Sequence, residues 1–301
     1  MKHKVKNFFR FKPKKKRIKT DHQVIASLGI FILFAGIVFA VSYKDLSAPK
    51  TEISKPAKNT QSEQVVKKPQ VKAKDQKPVP RTDLKVPILM FHHIRDPKPI
   101  ADKIQHNLSV SPEKFRADLE LLKRNGYQAV SIDDLSRIFS GELQIKKPVV
   151  LTFDDGYDDN FTQAFPDIVS AGMTGNFYII TGSVGKPAYM TAGQLKAMEK
   201  AGMTIGSHTV AHEDLAIISV DRQTKELAES KTFLKNLLGK NIADLCYPSG
   251  KYSPLTLTIA KQLGYKTGTT TKFGLAELNS DMLQLPRVRM TEATNLSAIL
   301  R

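Results

Sequence analysis

The chain has 301 residues, 46 Lys and Arg against 29 Asp and Glu, a formal charge of +17 and one cysteine. A single cysteine excludes an internal disulfide framework, so any fold must rest on its core alone. The charge is unevenly spread: residues 1–20 hold ten basic and no acidic side chains, residues 44–85 eleven and five, and residues 86–301 25 and 23. A nucleic-acid-binding fold carries its basic patch on the folded domain, and here that part is nearly neutral, so nucleic acid is not an expected partner.

Residues 1–22 read as a basic cytoplasmic tail. Val24 to Val41 is an uncharged, mostly apolar run of 18 residues, extended by Gln23, Ser42 and Tyr43. A bilayer core of about 30 Å needs about 20 helical residues, so residues 23–43 are expected to form a transmembrane anchor, with the upstream positive charges holding the N-terminus in the cytoplasm. A cleaved signal peptide is the competing reading; the run is longer than its usual apolar region, and no A-x-A site follows. Both readings place the remainder outside the cell. Residues 44–85, rich in Lys, Pro, Ser and Gln, are expected to be a disordered linker.

From Val86 apolar runs alternate with helical periods. VPILMF is the first expected strand. In SPEKFRADLELLKRNG, Ser111 can cap a helix, Pro112 takes its first position and Gly126 follows its end; Phe115, Leu119 and Leu122 share one face. YQAVSI and a short helix follow, with Asp133 and Asp134 at its start. PVVLTF, Pro148 to Phe153, is a continuous β-branched and aromatic run that reads as a buried strand. A helix near 160–171, the strand GNFYIIT and a helix with a Thr191–Gln194 capping box come next. MTIGSH, a long helix from about Asp221 to Leu238 stopped by Gly239, ADLCYP, SPLTLTIAKQLG, KTGTTT and LQLPRVRM complete the series. The alternation predicts an α/β fold with a parallel sheet, open or closed into a barrel.

In such folds chemistry sits at the carboxyl ends of the strands, and reactive residues gather there. Asp154 and Asp155 end one strand, His208 and His212 another, and His92 and His93 the first. Two imidazoles and a carboxylate fit hydrolytic Zn²⁺ or the facial triad of a non-haem iron oxygenase. A spacing of four is also met in ordinary surface histidines, and an Asp–Asp pair also fits a cap-and-turn arrangement.

Taken together, TFDDG (Thr152–Gly156) and SHTVAH (Ser207–His212) resemble the polysaccharide deacetylase, or NodB-homology, family of carbohydrate esterases. The resemblance extends over residues 86–301 and implies a distorted (β/α)7 barrel. It implies Asp155, His208 and His212 as ligands of a divalent metal, Zn²⁺ first with Co²⁺ or Ni²⁺ as alternatives, and Asp154 as catalytic base. Two motifs depart from the common pattern. CYPSG, Cys246 to Gly250, has Cys246 where the family has an arginine, and no histidine follows His212. Phe91-His92-His93-Ile94 instead resembles the opening motif of the circularly permuted branch that includes poly-β-1,6-N-acetylglucosamine deacetylases. That makes His92 the general acid, with His93 facing away in a structural role.

In the mechanism so implied, a metal-activated water attacks an acetamide carbonyl, and the loop around Tyr247 and Ser249 supplies substrate contacts and an N–H for the oxyanion. With Cys246 in the arginine position, Arg287 or Arg289 is the expected partner of Asp154. Tyr247 and Phe91 also read as core or groove wall, and Cys246 as a small buried residue. The expected function is removal of N-acetyl groups from an N-acetylglucosamine polymer outside the cell, tethered to the cytoplasmic membrane. Poly-N-acetylglucosamine is favoured; peptidoglycan or an O-acetyl ester stays open. An Fe²⁺ oxidoreductase and an inactive glycan-binding wall protein are the readings from other classes.

Overall fold

The computed structural model describes residues 78–99 and 102–300. The basic tail, the apolar run expected to span a membrane and most of the expected linker lie outside the described residues. Among the described residues, no helix is long and apolar enough to cross a membrane. The end of the expected linker is joined to the domain: Arg81 N donates to Phe139 O at 2.9 Å, and Leu84 packs on the core.

Seven parallel strands form the central element: β1 (Ile88–Phe91), β2 (Pro148–Phe153), β3 (Asn176–Ile179), β4 (Thr204–Ser207), β5 (Asp244–Cys246), β6 (Thr267–Phe273) and β7 (Leu285–Arg289). β1 pairs with β7 through Leu89–Val288 and with β2 through Ile88–Val150 to Phe91–Phe153. That double pairing closes the sheet into a barrel and settles the open-or-closed question. Gln128–Ala129, all that forms of the YQAVSI run, pairs only with Pro148 and Val149. β3 takes the far half of the same edge at Thr152 and Phe153.

Pleating explains why β2 is apolar at every position but Thr152. Leu89, Phe91, Val149, Leu151, Phe153 and Phe177 pack outward against helices that bring Phe115, Leu119, Leu195, Leu227 and Ile259. The rings of Phe91, Phe153 and Phe177 stack at 5.2 and 4.6 Å, which places Phe91 in the core. A second cluster gathers Ile88, Val150 and Leu285 from the strands with Ile132, Leu135 and Ile138. Side chains on alternate residues therefore meet either helices or the barrel interior.

The local signals operate as physics requires. Ser111 accepts from Lys114 N, and the helix Pro112–Arg124 buries Phe115, Leu119 and Leu122. The Thr191–Gln194 capping box forms. The long helix runs Val220–Leu238, and Gly239 ends it at φ 69°, a left-handed conformation that suits glycine. Asp133 and Asp134 lie in a 3-10 turn that leads into the helix Leu135–Ser140. The segment after TFDDG begins as a π-turn, Asn160–Ala164, before the helix Phe165–Ser170. Asn160 in that turn donates to His92 O at 2.7 Å, tying the irregularity to the first strand.

Candidate active site

The carboxyl ends of β1, β2, β4, β5 and β7 bring His92, Asp154, Asp155, His208, Cys246 and Arg287 together. Asp154 is the first residue past β2, and its N–H donates to Phe91 O at 3.0 Å, carrying the ladder one step beyond the strand. Asp155 then turns at φ 72°, so the adjacent carboxylates part company. Thr209, His212 and Ser249 also have positive φ, at 65°, 59° and 54°. Each costs about 1 kcal/mol or more in a non-glycine residue, and four such residues stand in the loops around this one mouth.

Asp155 Oδ1 is 3.3 Å from His208 Nε2 and 3.7 Å from His212 Nε2. His208 Nδ1 lies 2.8 Å from Cys246 O, an acceptor, so Nδ1 carries a hydrogen and Nε2 is the nitrogen turned toward Asp155. Tetrahedral ligands about 2.0–2.1 Å from Zn²⁺ stand about 3.3 Å apart. The two separations from Asp155 are at or a little above that spacing, the three ligand atoms all lie within 4.8 Å of one another, and their chemistry, two imidazoles and one carboxylate, fits a divalent ion with a coordination position left for water or substrate. The loop carrying His212 is held from beneath: the buried Glu226 Oε2 accepts from Val210 N at 2.9 Å and Ala211 N at 2.8 Å. Arg222 Nη2 stands 2.9 Å from the other oxygen of Glu226, and Thr209 Oγ1 accepts from His212 N at 3.0 Å.

Asp154 is held differently. Arg287 Nη1 and Nη2 donate to its two oxygens, each at 2.7 Å. Arg287 is itself fixed by Nε donating to Thr270 O at 2.8 Å and Nη1 to Thr152 Oγ1 at 3.0 Å. Its Nη2 is 3.2 Å from Cys246 Sγ. A guanidinium from β7 thus lies against the small thiol on β5 and meets the carboxylate from the end of β2. Burial alone would raise the Asp154 pKa, but the paired Arg287 charge and its hydrogen bonds hold it well below the usual carboxylate range. Asp154, His208 and Cys246 also lie near enough to share an ion, but both oxygens of Asp154 are engaged by Arg287, so Asp155, His208 and His212 fit better.

His92 Nε2 lies 3.8 Å from Asp154 Oδ2, and His92 Nδ1 is buried without a hydrogen-bond partner among the described residues. Burial brings His92 down to a pKa of about 4, against the pull of Asp154 and Asp155, so its resting form is neutral. His93 points elsewhere: Nδ1 is 2.6 Å from Asp159 Oδ2, and the ring stacks on Tyr157 at 3.6 Å.

The expected substrate loop divides. Ser249 is exposed at the turn after β5, where Thr271 Oγ1 donates to its carbonyl at 3.3 Å. Tyr247 does not reach the mouth. It is fully buried, its N–H donates to Thr269 O, and its hydroxyl donates to Leu283 O at 2.9 Å, because the pleat that turns Cys246 inward turns Tyr247 outward.

Beside Asp155 and His212 opens a cleft of about 520 Å³, with Tyr157, Tyr189, Lys186 and Gln105 in its wall. Tyr157 and Tyr189 stack at 5.3 Å. Sequence reading missed Glu226 and this wall. An acid on the apolar stripe of a long helix, next to Leu227 and between Gln223 and Ser230, was the available sign for Glu226. The tyrosines carry no such sign.

Comparison with known proteins agrees with this geometry. The sequence model of the polysaccharide deacetylase family matches residues 142–268. YxkH of Bacillus subtilis, a protein named for polysaccharide deacetylase, is 33% identical over 283 residues, 90% of this chain and 95% of that one. The solved deacetylase PplD of Streptococcus pyogenes, in complex with acetate, is 36% identical with a TM-score of 0.68, over 74% of this chain and 98% of that one. The poly-β-1,6-N-acetyl-D-glucosamine N-deacetylase of Staphylococcus aureus is 23% identical over 203 residues, 62% of this chain and 69% of that one. The chain belongs to the polysaccharide deacetylase family.

Proposed function

We propose that the protein is a metal-dependent N-deacetylase acting on N-acetylglucosamine units of a cell-surface polysaccharide. The observation that carries this reading is the Asp155–His208–His212 triangle standing next to a second carboxylate, Asp154, that Arg287 reserves from it. Asp155, His208 and His212 would hold a divalent ion, Zn²⁺ first, whose chemistry when bound would be to lower the pKa of water toward about 7 and to polarise a carbonyl.

Asp154 then takes a proton from the attacking water; its geometry is fixed by the Arg287 fork. His92 rests neutral and 3.8 Å from Asp154 Oδ2. A closure of about 1 Å makes a hydrogen bond between them, through which the proton reaches the imidazole and then the leaving sugar amine. That transfer is needed because an amine anion does not depart unaided. The exposed turn at Ser249 is the candidate source of an N–H for the oxyanion.

The fold supplies the mouth, and residues 23–43 supply the tether in this reading: a single-pass anchor with the N-terminus in the cytoplasm and the catalytic domain outside. β-1,6-linked poly-N-acetylglucosamine is the first polymer to test, on the permuted motif order and the named Staphylococcus aureus relative. Metal-loaded protein should release acetate from β-1,6 oligomers or from peptidoglycan, and Asp154→Asn should abolish it. Glycan binding without acetate release from either polymer, across Zn²⁺, Co²⁺ and Ni²⁺, would replace the enzyme with a binding protein.

A further inference from the structure

Arg287 and Arg289 flank Val288 on β7, so both side chains stand on the inner face, Arg289 one pleat nearer the carboxyl mouth. The Arg289 Cα is paired with Met90 on β1, Met290 N donates to Met90 O at 2.9 Å, and His92 follows two residues after Met90, just past the end of β1. Arg289 therefore rises over the Arg287–Asp154 pair, beside His92. The charges that bear on it are those of the mouth itself, Asp154, Arg287 and Asp155.

Arg287 has its donors engaged by Asp154, Thr152 and Thr270. Arg289 has no ion pair and no side-chain hydrogen bond among the described residues; only its carbonyl is used, accepting from Thr294 Oγ1. The two carboxylates within its reach are committed, Asp154 to Arg287 and Asp155 to the imidazoles and the ion they would hold. On the other side of the mouth Lys186 lines the cleft, also without an ion pair among the described residues, and Asp155 is the one acid in that lining. Arg289 and Lys186 are both exposed, so both guanidinium and ammonium are open to a ligand from outside.

A guanidinium offers a planar fork that matches a carboxylate or a phosphate. A chain of N-acetylglucosamine alone is neutral and gives such a fork no charge to bind. We propose that Arg289 binds an anionic substituent, a carboxylate or phosphate, on the sugar adjoining the N-acetylglucosamine that is deacetylated. This rests on the deacetylase reading and moves the substrate from a neutral homopolymer toward an acidic glycan such as the peptidoglycan chain.

The test follows acetate release by the metal-loaded full chain from three oligosaccharides of equal length. One is all N-acetylglucosamine. One alternates it with N-acetylmuramic acid whose lactyl carboxylates are free, and one carries a phosphomonoester on the adjoining sugar. In Arg289→Gln the ratio of kcat/KM for an acidic oligomer to that for the neutral one should fall about 10- to 100-fold. The loss should lie in KM, with Arg289→Lys intermediate and the wild-type ratio shrinking as salt is raised. The acidic oligomer whose ratio falls tells carboxylate from phosphate. Ratios unmoved in Arg289→Gln, with acetate still released, overturn this proposal alone. No acetate from any of the three by the wild type overturns the deacetylase reading and this proposal with it.

Discussion

Replacing Arg287 by Met removes a side chain that is 1% exposed and that donates to Asp154, Thr152 and Thr270. The hydrophobic part of the pocket stays filled, but Asp154, 3% exposed, is left as a buried carboxylate without its cation. Breaking a buried pair by removing one partner costs about 3–5 kcal/mol, most of it the penalty on the charge left behind. That is a large share of a total stability of about 5–15 kcal/mol. For a domain of this size it corresponds to a fall in Tm of about 6–20 °C. The penalty belongs to the stranded charge, so Asp154→Asn added to Arg287→Met should recover about 2 kcal/mol or more, since a neutral amide is cheaper to bury. Urea unfolding of wild type, both single variants and the double variant gives the cycle directly. A loss under about 1 kcal/mol in Arg287→Met, or a double variant less stable than it, would refute the argument that Arg287 exists to compensate Asp154.

Two other perturbations follow from the same geometry. Glu226→Ala removes the acceptor of the Val210 and Ala211 N–H groups and should weaken Zn²⁺ binding about 10- to 100-fold in a chelator competition. Glu226→Gln keeps a carbonyl acceptor and should lose less; an unchanged Kd in Glu226→Ala would show that the loop holds His212 without it. Burial first, and the nearby Asp133 second, push Asp244 up to about 8, against a hydrogen bond from Thr267 Oγ1. The unfolded carboxyl titrates near 3.9, so between about pH 4 and 8 the folded state keeps a proton that the unfolded state has lost, and stability falls as pH rises. Asp244→Asn should remove about 2–4 kcal/mol of the stability difference between pH 5 and pH 8, read by urea unfolding at both; an unchanged difference would mean that Asp244 is ionised in the folded state.

Much of this site was legible because its chemistry sits in short segments. TFDDG shows a strand running into two carboxylates, and SHTVAH puts two imidazoles within one loop; both lie where a parallel sheet exposes its strand ends. Arg287 was legible only as one of two candidates, since the pairing joins residues 133 apart in sequence and depends on the closure of β7 onto β1. The choice falls to Arg287 because its Nε reaches Thr270 O inside the barrel, while Arg289 stands a pleat further out. Tyr247 sat in the right motif on the wrong side of the pleat, a distinction set by the strand's register rather than by the tyrosine. The left-handed turns at Asp155, Thr209, His212 and Ser249 had no sign at all, because none of these positions is a glycine. Tertiary contacts such as Glu226 beneath the loop hold those conformations, and contacts between distant segments are not written locally.

In the proposed function, Asp155, His208 and His212, rather than Asp154, His208 and Cys246, hold the divalent ion. The direct measurement is metal content per chain by mass spectrometry after Zn²⁺ loading and dialysis, with acetate release in parallel, for wild type, Asp154→Asn and Asp155→Ala. Wild type should hold one ion per chain, Asp154→Asn should bind metal equally yet release no acetate, and Asp155→Ala should hold little. Metal retained in Asp155→Ala but lost in Asp154→Asn would contradict it and move the ion to the other set.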